Sequence, residues 1–196
     1  MVLAAGRAQR FGGAKLLAPL RGRPVLAHVL DLLARAADAG IVASGRIVVA
    51  ADDAGVADLV SSAGVETIVN QAPERGLSSS LRCGLAALGS DTGAAIIVLG
   101  DQPLVRLEVL EALVAAWRDG RGSVIRPRYA DAPGEPGHPV LLDRSVWPLA
   151  GRLEGDAGFG ALFPAGSPGV ALIDVAGRNP DVDTPADLDT LQGSWP

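Results

Sequence analysis

Apolar runs rich in Val, Ile and Ala alternate along the chain with stretches whose apolar residues recur every three or four positions. The first pattern suits strands buried on both faces, and the second suits helices that cover them. Strands are predicted over Met1–Ala5, Ile47–Ala51, Glu66–Val69, Ala94–Leu99, Ser123–Arg126, Pro139–Leu142 and Val170–Val175. Between them, Pro24–Ala37 carries Val25, Val29, Leu32, Leu33 and Ala36 at helical spacing, and Asp53–Ala63, Ser78–Leu88 and Leu107–Asp119 repeat it. Pro24 suits a first helical turn, and Gly64, Gly89 and Gly120 stand where helix ends accept positive φ. Strand and helix in alternation predict an α/β fold with a mostly parallel central sheet. Arg128–Gly137 and Ala150–Gly169 lose the rhythm and read as lids or substrate loops. No repeat or compositional break divides the chain, so one domain over 1–196 is expected.

Composition narrows the functional classes. Hydrophobic residues make up 48% of the 196 positions, enough for a real core without staples. The longest apolar runs span six residues, where a membrane crossing needs roughly 20, so no membrane partner is expected. A cytoplasmic address follows from the lack of a signal-like core before Arg7 and Arg10. A formal net charge of -5 argues against polymeric nucleic acid, leaving small anionic ligands open. Cys83 stands alone and only His28 and His138 accompany it, which excludes disulfides and a cysteine or histidine zinc cluster. Of 17 basic residues only Lys15 is lysine, a compact point charge on a flexible stem.

Lys15 closes the densest motif, Leu3-Ala4-Ala5-Gly6-Arg7-Ala8-Gln9-Arg10-Phe11-Gly12-Gly13-Ala14-Lys15. Glycine amides can approach phosphate oxygens, and Arg10 and Lys15 can neutralise them. The spacing fits neither a Walker A loop nor a dinucleotide fingerprint, so a phosphate loop and an ordinary glycine-rich turn both stay open. Gly100-Asp101-Gln102-Pro103 follows a predicted buried strand, with Asp101 at the sheet rim, either as a ligand or as a turn aspartate. In Asp181-Val182-Asp183-Thr184-Pro185-Ala186-Asp187, an N-cap at Thr184 explains most of the motif but not Asp183. Asp183 could pair with Asp101 around a hard divalent cation. Ser78, Ser79 and Ser80 read as caps or ligand contacts, Cys83 as a packed residue and His28 as a packed or surface one. His138 reads as a pocket or turn residue.

Together these motifs resemble, in order along the whole chain, the MobA-like nucleotidyltransferases. They are most similar to the branch that makes the cytosine dinucleotide form of molybdenum cofactor. Leu3 to Lys15, Gly22-Arg23-Pro24-Val25-Leu26, Asn70 to Leu81, Gly100 to Pro103, Gly137-His138-Pro139-Val140 and Asp181 to Pro185 carry the resemblance. It implies a three-layer Rossmann-like nucleotide-diphospho-sugar transferase fold. Ala5 resembles the cytidylyl version of the first motif. Ala8 replaces a usual serine. Gly155-Asp156-Ala157-Gly158-Phe159-Gly160 ends without the usual basic residue, so Arg152 or another arginine would have to meet the acceptor.

The resemblance implies attack by an acceptor phosphate on the α-phosphorus of CTP, releasing pyrophosphate. Lys15, Arg10, Asp101 and Asp183 would be catalytic, with Mg²⁺ on Asp101 and Asp183. Leu3, Ala4, Ala5, Gly6, Gly12, Gly13, Lys15, Asn70, Ser79 and Ser80 would bind the nucleotide, and His138 and Asp156 the molybdopterin-type acceptor. A phosphate monoester loses its second proton at about 6, so no base is needed. Repulsion is the obstacle, since two unit charges about 4 Å apart cost about 4 kcal/mol at an effective dielectric of 20. Two other readings stay open: transfer to a sugar, polyol or lactate phosphate, and a non-catalytic carrier that hands molybdenum cofactor to a molybdoenzyme of the xanthine dehydrogenase type.

Overall fold

The computed structural model describes residues 1–6, 10–134 and 136–195. A seven-stranded sheet is built from β1 (Val2–Ala4), β4 (Arg46–Ala50), β5 (Glu66–Asn70), β6 (Ala94–Leu99), β7 (Val124–Tyr129), β8 (Val140–Asp143) and β9 (Val170–Val175). A two-stranded hairpin, β2 (Pro19–Leu20) with β3 (Arg23–Pro24), stands apart from it. The sheet order is β5-β4-β1-β6-β8-β7-β9, and only β8 runs against its neighbours. All seven strand expectations are met to within a few residues.

The helices form the outer layers. On one face α1 (Val25–Asp38), α2 (Ala54–Ser62) and α4 (Leu107–Arg118) bury Leu26, Val60 and Leu113 against Val2, Ala4, Ile47 and Ile125. On the other, α3 (Leu77–Ala86), a 3₁₀ segment (Arg144–Arg152) and the short α5 (Phe159–Leu162) cover Leu3, Val48, Val124 and Leu142. Because both faces are covered at the centre of the sheet, alternate residues of the central strands enter different cores, and β1 and β6 stay apolar throughout. A third cluster of Leu20, Val25, Val182, Leu188 and Leu191 ties the hairpin to α6 (Pro185–Gly193). The result is the expected three-layer α/β architecture.

Local chemistry explains most boundaries. Asp53 caps α2, its carboxylate accepting from Val56 N at 3.0 Å. Thr184 and Asp187 form a reciprocal capping box on α6, with Pro185 in its first turn. Gly64 and Gly120 take positive φ after α2 and α4, whereas Gly89 does not, since α3 already ends at Ala86. Pro24 precedes α1 as its N-cap. The serines are not N-caps of α3, because Gly76 precedes the helix and Ser78, Ser79 and Ser80 lie buried within it. The expected loop over Ala150–Gly169 contains the end of the 3₁₀ segment and α5, while β7 runs on to Tyr129. His28 Nε2 lies 3.0 Å from Leu20 O, and its ring packs on Trp195, a packed histidine as expected. Cys83 is half-buried, with its thiol donating to Val69 O. No described helix is long and apolar enough to cross a membrane.

Candidate active site

The carboxyl ends of β1 and β6 open into a cleft of about 540 Å³. Gly100 N donates to Leu3 O at 2.9 Å, so the chain leaving β6 turns beside β1 and delivers Asp101 to the rim. Asp183 arrives from 82 residues further on because Val182 N donates to Asp101 O at 3.0 Å. Val182 is fully buried, which turns Asp181 and Asp183, two positions apart in an extended segment, together toward the cleft. Asp187 fixes the same segment by accepting from Asp183 N at 3.1 Å and Thr184 N at 2.7 Å.

Lys15 joins the two carboxylates. Its Nζ donates to Asp101 Oδ2 at 2.6 Å and to Asp183 Oδ1 at 3.2 Å, while Arg10 Nη2 lies 3.0 Å from Asp183 Oδ2. The Lys15 side chain is 11% exposed and that of Asp101 20%. Burial by itself lowers the Lys15 pKa, but the charges and hydrogen bonds of Asp101 and Asp183 outweigh it and leave the ammonium more basic than usual. Asp101 Oδ1 is buried and has no hydrogen-bond partner among the described residues.

The described lining of the cleft is acidic: Arg10 and Lys15 face Glu74, Asp101, Asp156, Asp181 and Asp183. Asp181, to which the sequence assigns no role, is part of this lining. Its carboxylate accepts from Gln102 Nε2 at 2.5 Å, and Gln102 Oε1 accepts from Asn179 Nδ2 at 2.9 Å. Burial pushes the Asp181 carboxyl up; the Gln102 hydrogen bond opposes this, and the charges of Asp101 and Asp183 add to the rise. The alternation of acid, apolar and acid at 181–183 is the sequence signal for it.

Leu3, Ala4, Ala5, Gly6, Ser80 and Asp156 all line the cleft, but other expected residues stand back from it. Asn70 and Ser79 do not reach its wall. Asn70 Nδ2 donates to Ser79 Oγ and Ser80 Oγ at 2.9 and 3.0 Å, its Oδ1 accepts from Ala72 N, and Ser79 Oγ donates to Gly76 O. They hold the 70–80 loop in shape and present Ser80. Gly12 and Gly13 form the turn before Lys15, where Lys15 N donates to Gly13 O at 2.8 Å.

His138 does not line the cleft either. Burial first, and then the charge of Arg126, lower its pKa to about 4, so its imidazole is neutral at pH 7 and is not a cation for an acceptor. Asp156 bridges two loops: its carboxylate accepts from Leu77 N at 3.3 Å, and Ser78 N donates to Gly155 O at 3.0 Å. Gly76 makes that contact possible, since a Cβ there would lie 2.5 Å from the Gly155 carbonyl carbon at a φ of +79°. Arg152 is exposed and does not line the cleft, whereas the Arg126 guanidinium packs against Gly160. Ala8, where a serine was expected, lies outside the described residues.

Comparison with known proteins gives this cleft a family. The chain superposes on Rv0371c of Mycobacterium tuberculosis with a TM-score of 0.80 and 31% identity, covering 98% of this chain and 96% of that one. The manganese complex of Rv0371c matches with a TM-score of 0.75 at 30% identity, over the same shares. Bifunctional protein GlmU of Burkholderia orbicola is 33% identical over 136 residues, 68% of this chain. The chain spans only 29% of that relative's length. Residues 1–168 match the MobA-like NTP transferase domain, a stretch that includes Lys15 and Asp101 and stops short of Asp183. That match extends over most of the sheet and the loops that open from it, and the chain therefore belongs to the MobA-like NTP transferase family of nucleotidyltransferases.

Proposed function

We propose that this chain transfers CMP from CTP to the phosphate of a molybdopterin-type acceptor, releasing pyrophosphate, with a divalent cation held by Asp101 and Asp183. One observation carries the reading: these carboxylates, distant in sequence, meet on one largely enclosed ammonium, Lys15 Nζ.

The donor set fits such a cation. Among the described residues Asp101 Oδ1 is a buried acceptor with no donor, and the described lining of the cleft holds more carboxylates than cations. No cluster of three or more His, Cys, Asp or Glu has metal-holding spacing among the described residues, so substrate phosphates would complete the coordination, the usual pattern for Mg²⁺. Bound there, the cation would offset the charge of the phosphates and polarise the α-phosphoryl group. The manganese complex of Rv0371c supports divalent metal use by a relative.

Lys15 and Arg10, both already on the carboxylates, are the groups to turn toward the β- and γ-phosphates, with the Gly12-Gly13 amides beside them. Leu3, Ala4, Ala5, Gly6 and Ser80 form the wall for the nucleoside. An acceptor oxygen, already ionised at neutral pH, forms the new bond to the α-phosphorus. The bond to the bridging oxygen breaks, and its electron pair leaves with pyrophosphate. Asp156 keeps the loop at the mouth of α3 in register through Leu77 N.

Pyrophosphate release with each of four nucleoside triphosphates and molybdopterin, under Mg²⁺ and then Mn²⁺, tests the reading. CTP should give the fastest release. A preference for GTP would reverse the base assignment. Turnover only with a sugar, polyol or lactate phosphate would replace the molybdopterin-type acceptor.

A further inference from the structure

Two carboxylates that share a divalent cation must both turn oxygens to it, and in this chain those oxygens are already engaged. Lys15 Nζ donates to Asp101 Oδ2 and to Asp183 Oδ1, and Arg10 Nη2 lies 3.0 Å from Asp183 Oδ2. Of the carboxylate oxygens of this pair, only Asp101 Oδ1 has no partner among the described residues. A divalent cation held by both acids therefore meets Lys15 or Arg10 on at least one oxygen, and positive charges gathered on the same carboxylates repel.

The two side chains are held differently. That of Arg10 is 76% exposed and touches one acid, so water can replace its contact. That of Lys15 is 11% exposed and touches both. The Lys15 backbone is fixed, since Leu16 is buried, Leu17 N donates to Ala14 O at 3.0 Å and Ala18 N donates to Lys15 O at 3.2 Å. The ammonium can thus leave the acids only by swinging its flexible stem. It needs another anion in the cleft to do so, because a largely enclosed charge without a partner is costly. The β- and γ-phosphates of a nucleotide are such an anion, and Gly6 and Arg10 line the cleft together with Lys15.

We propose that Lys15 is an internal stand-in for the metal: it holds Asp101 and Asp183 together and withholds them from a divalent cation until the polyphosphate of the nucleotide draws the ammonium away. Metal and nucleotide then bind as a coupled pair, each raising the affinity for the other, because one movement of Lys15 serves both. The proposal rests on the transferase reading above and adds the order of assembly, in which the metal enters with the nucleotide and not before it.

Electron paramagnetic resonance titration of Mn²⁺ without nucleotide tests it. Lys15→Met keeps a long unbranched side chain and removes the charge. It should bind Mn²⁺ about 10-fold or more tightly than the native chain, the gain expected if Lys15 leaves the acids no more than about a tenth of the time. Adding Asp101→Asn to Lys15→Met should abolish the gain. Arg10→Gln takes an equal charge from Asp183 but leaves Lys15 in place, and its gain should be the smaller. No gain in Lys15→Met, a gain that survives Asp101→Asn, or an equal gain in Arg10→Gln overturns the proposal.

Lysine occurs nowhere else in the chain, so lysine labelled with ¹³C at Cε gives one side-chain signal and a test that needs no substitution. Mg²⁺ alone, at the concentration that saturates the complex with a non-hydrolysable CTP analogue, should leave that signal in place, and Mg²⁺ with the analogue should shift it. A signal that moves with Mg²⁺ alone, or keeps its place in the nucleotide complex, overturns the proposal. The two readings fail separately. If Lys15→Met gains Mn²⁺ affinity while no acceptor yields pyrophosphate, the transferase reading falls and the role of Lys15 stands. If pyrophosphate is released and Lys15→Met gains nothing, the reverse holds.

Discussion

Lys15 with Asp101 in the cleft, and Arg128 with Asp174 across β7 and β9, are both ion pairs at 2.6 Å, and their surroundings give them different work. Arg128 and Asp174 are 45% and 75% exposed, so water and salt screen them, and each can find solvent if the other is removed. Lys15 is almost enclosed and shared between two acids. Removing either acid leaves a buried charge short of a partner, which costs far more than losing a surface contact. Separation alone therefore says little; burial and sharing decide which pair is functional.

The largest effect should follow from breaking the cleft pair on the acid side. Asp101→Ala is expected to keep its far-ultraviolet circular dichroism while pyrophosphate release falls by about 1,000-fold or more, the scale of losing a preorganised electrostatic contact at the reacting centre. Retained turnover would remove Asp101 from the reaction. Lys15→Ala should raise the nucleotide KM and lower kcat, by about 10- to 100-fold in kcat/KM, because its charge acts on both ground and transition states. If neither constant moves, the phosphate role of Lys15 is wrong.

The loop clamp beside the cleft ranks next. Gly76→Ala adds a Cβ at positive φ and drives it onto the Gly155 carbonyl, and the denaturant midpoint should report a loss of about 2 kcal/mol or more. His138 supplies a pH test. Its pKa in the folded chain is about 4 against an ordinary 6.5, so between these values the unfolded chain binds the extra proton. That contribution is fully present above about 6.5 and is lost as pH falls through about 4, and His138→Asn should flatten the slope of stability over this window. The smallest effect belongs to the exposed pair: Arg128→Ala should leave both melting temperature and turnover unchanged. A large loss there would break the contrast with Lys15.

The same division governs what could be read from the chain. The centre of the sheet was legible because β1, β6 and β4 after Arg46 are short apolar runs set among periodic helices, and helix starts such as Asp53 and Thr184 carry their own caps. Lys15, Asp101 and Asp183 were legible as types of residue in suggestive motifs. Their meeting was not, since it depends on Val182 N reaching Asp101 O across 81 residues. Asn70 and Ser79 looked like ligand contacts because polar residues near a strand end suit that role, and only the fold reveals that they satisfy each other.

The most direct test of the central claim, that Asp101 and Asp183 act as one site, is electron paramagnetic resonance titration of Mn²⁺ into the chain with a non-hydrolysable CTP analogue. The native chain should take up Mn²⁺ with the nucleotide, Asp101→Asn and Asp183→Asn should each lose that uptake, and the double variant should bind no more weakly than the weaker single one. Undiminished uptake by either single variant would contradict the account.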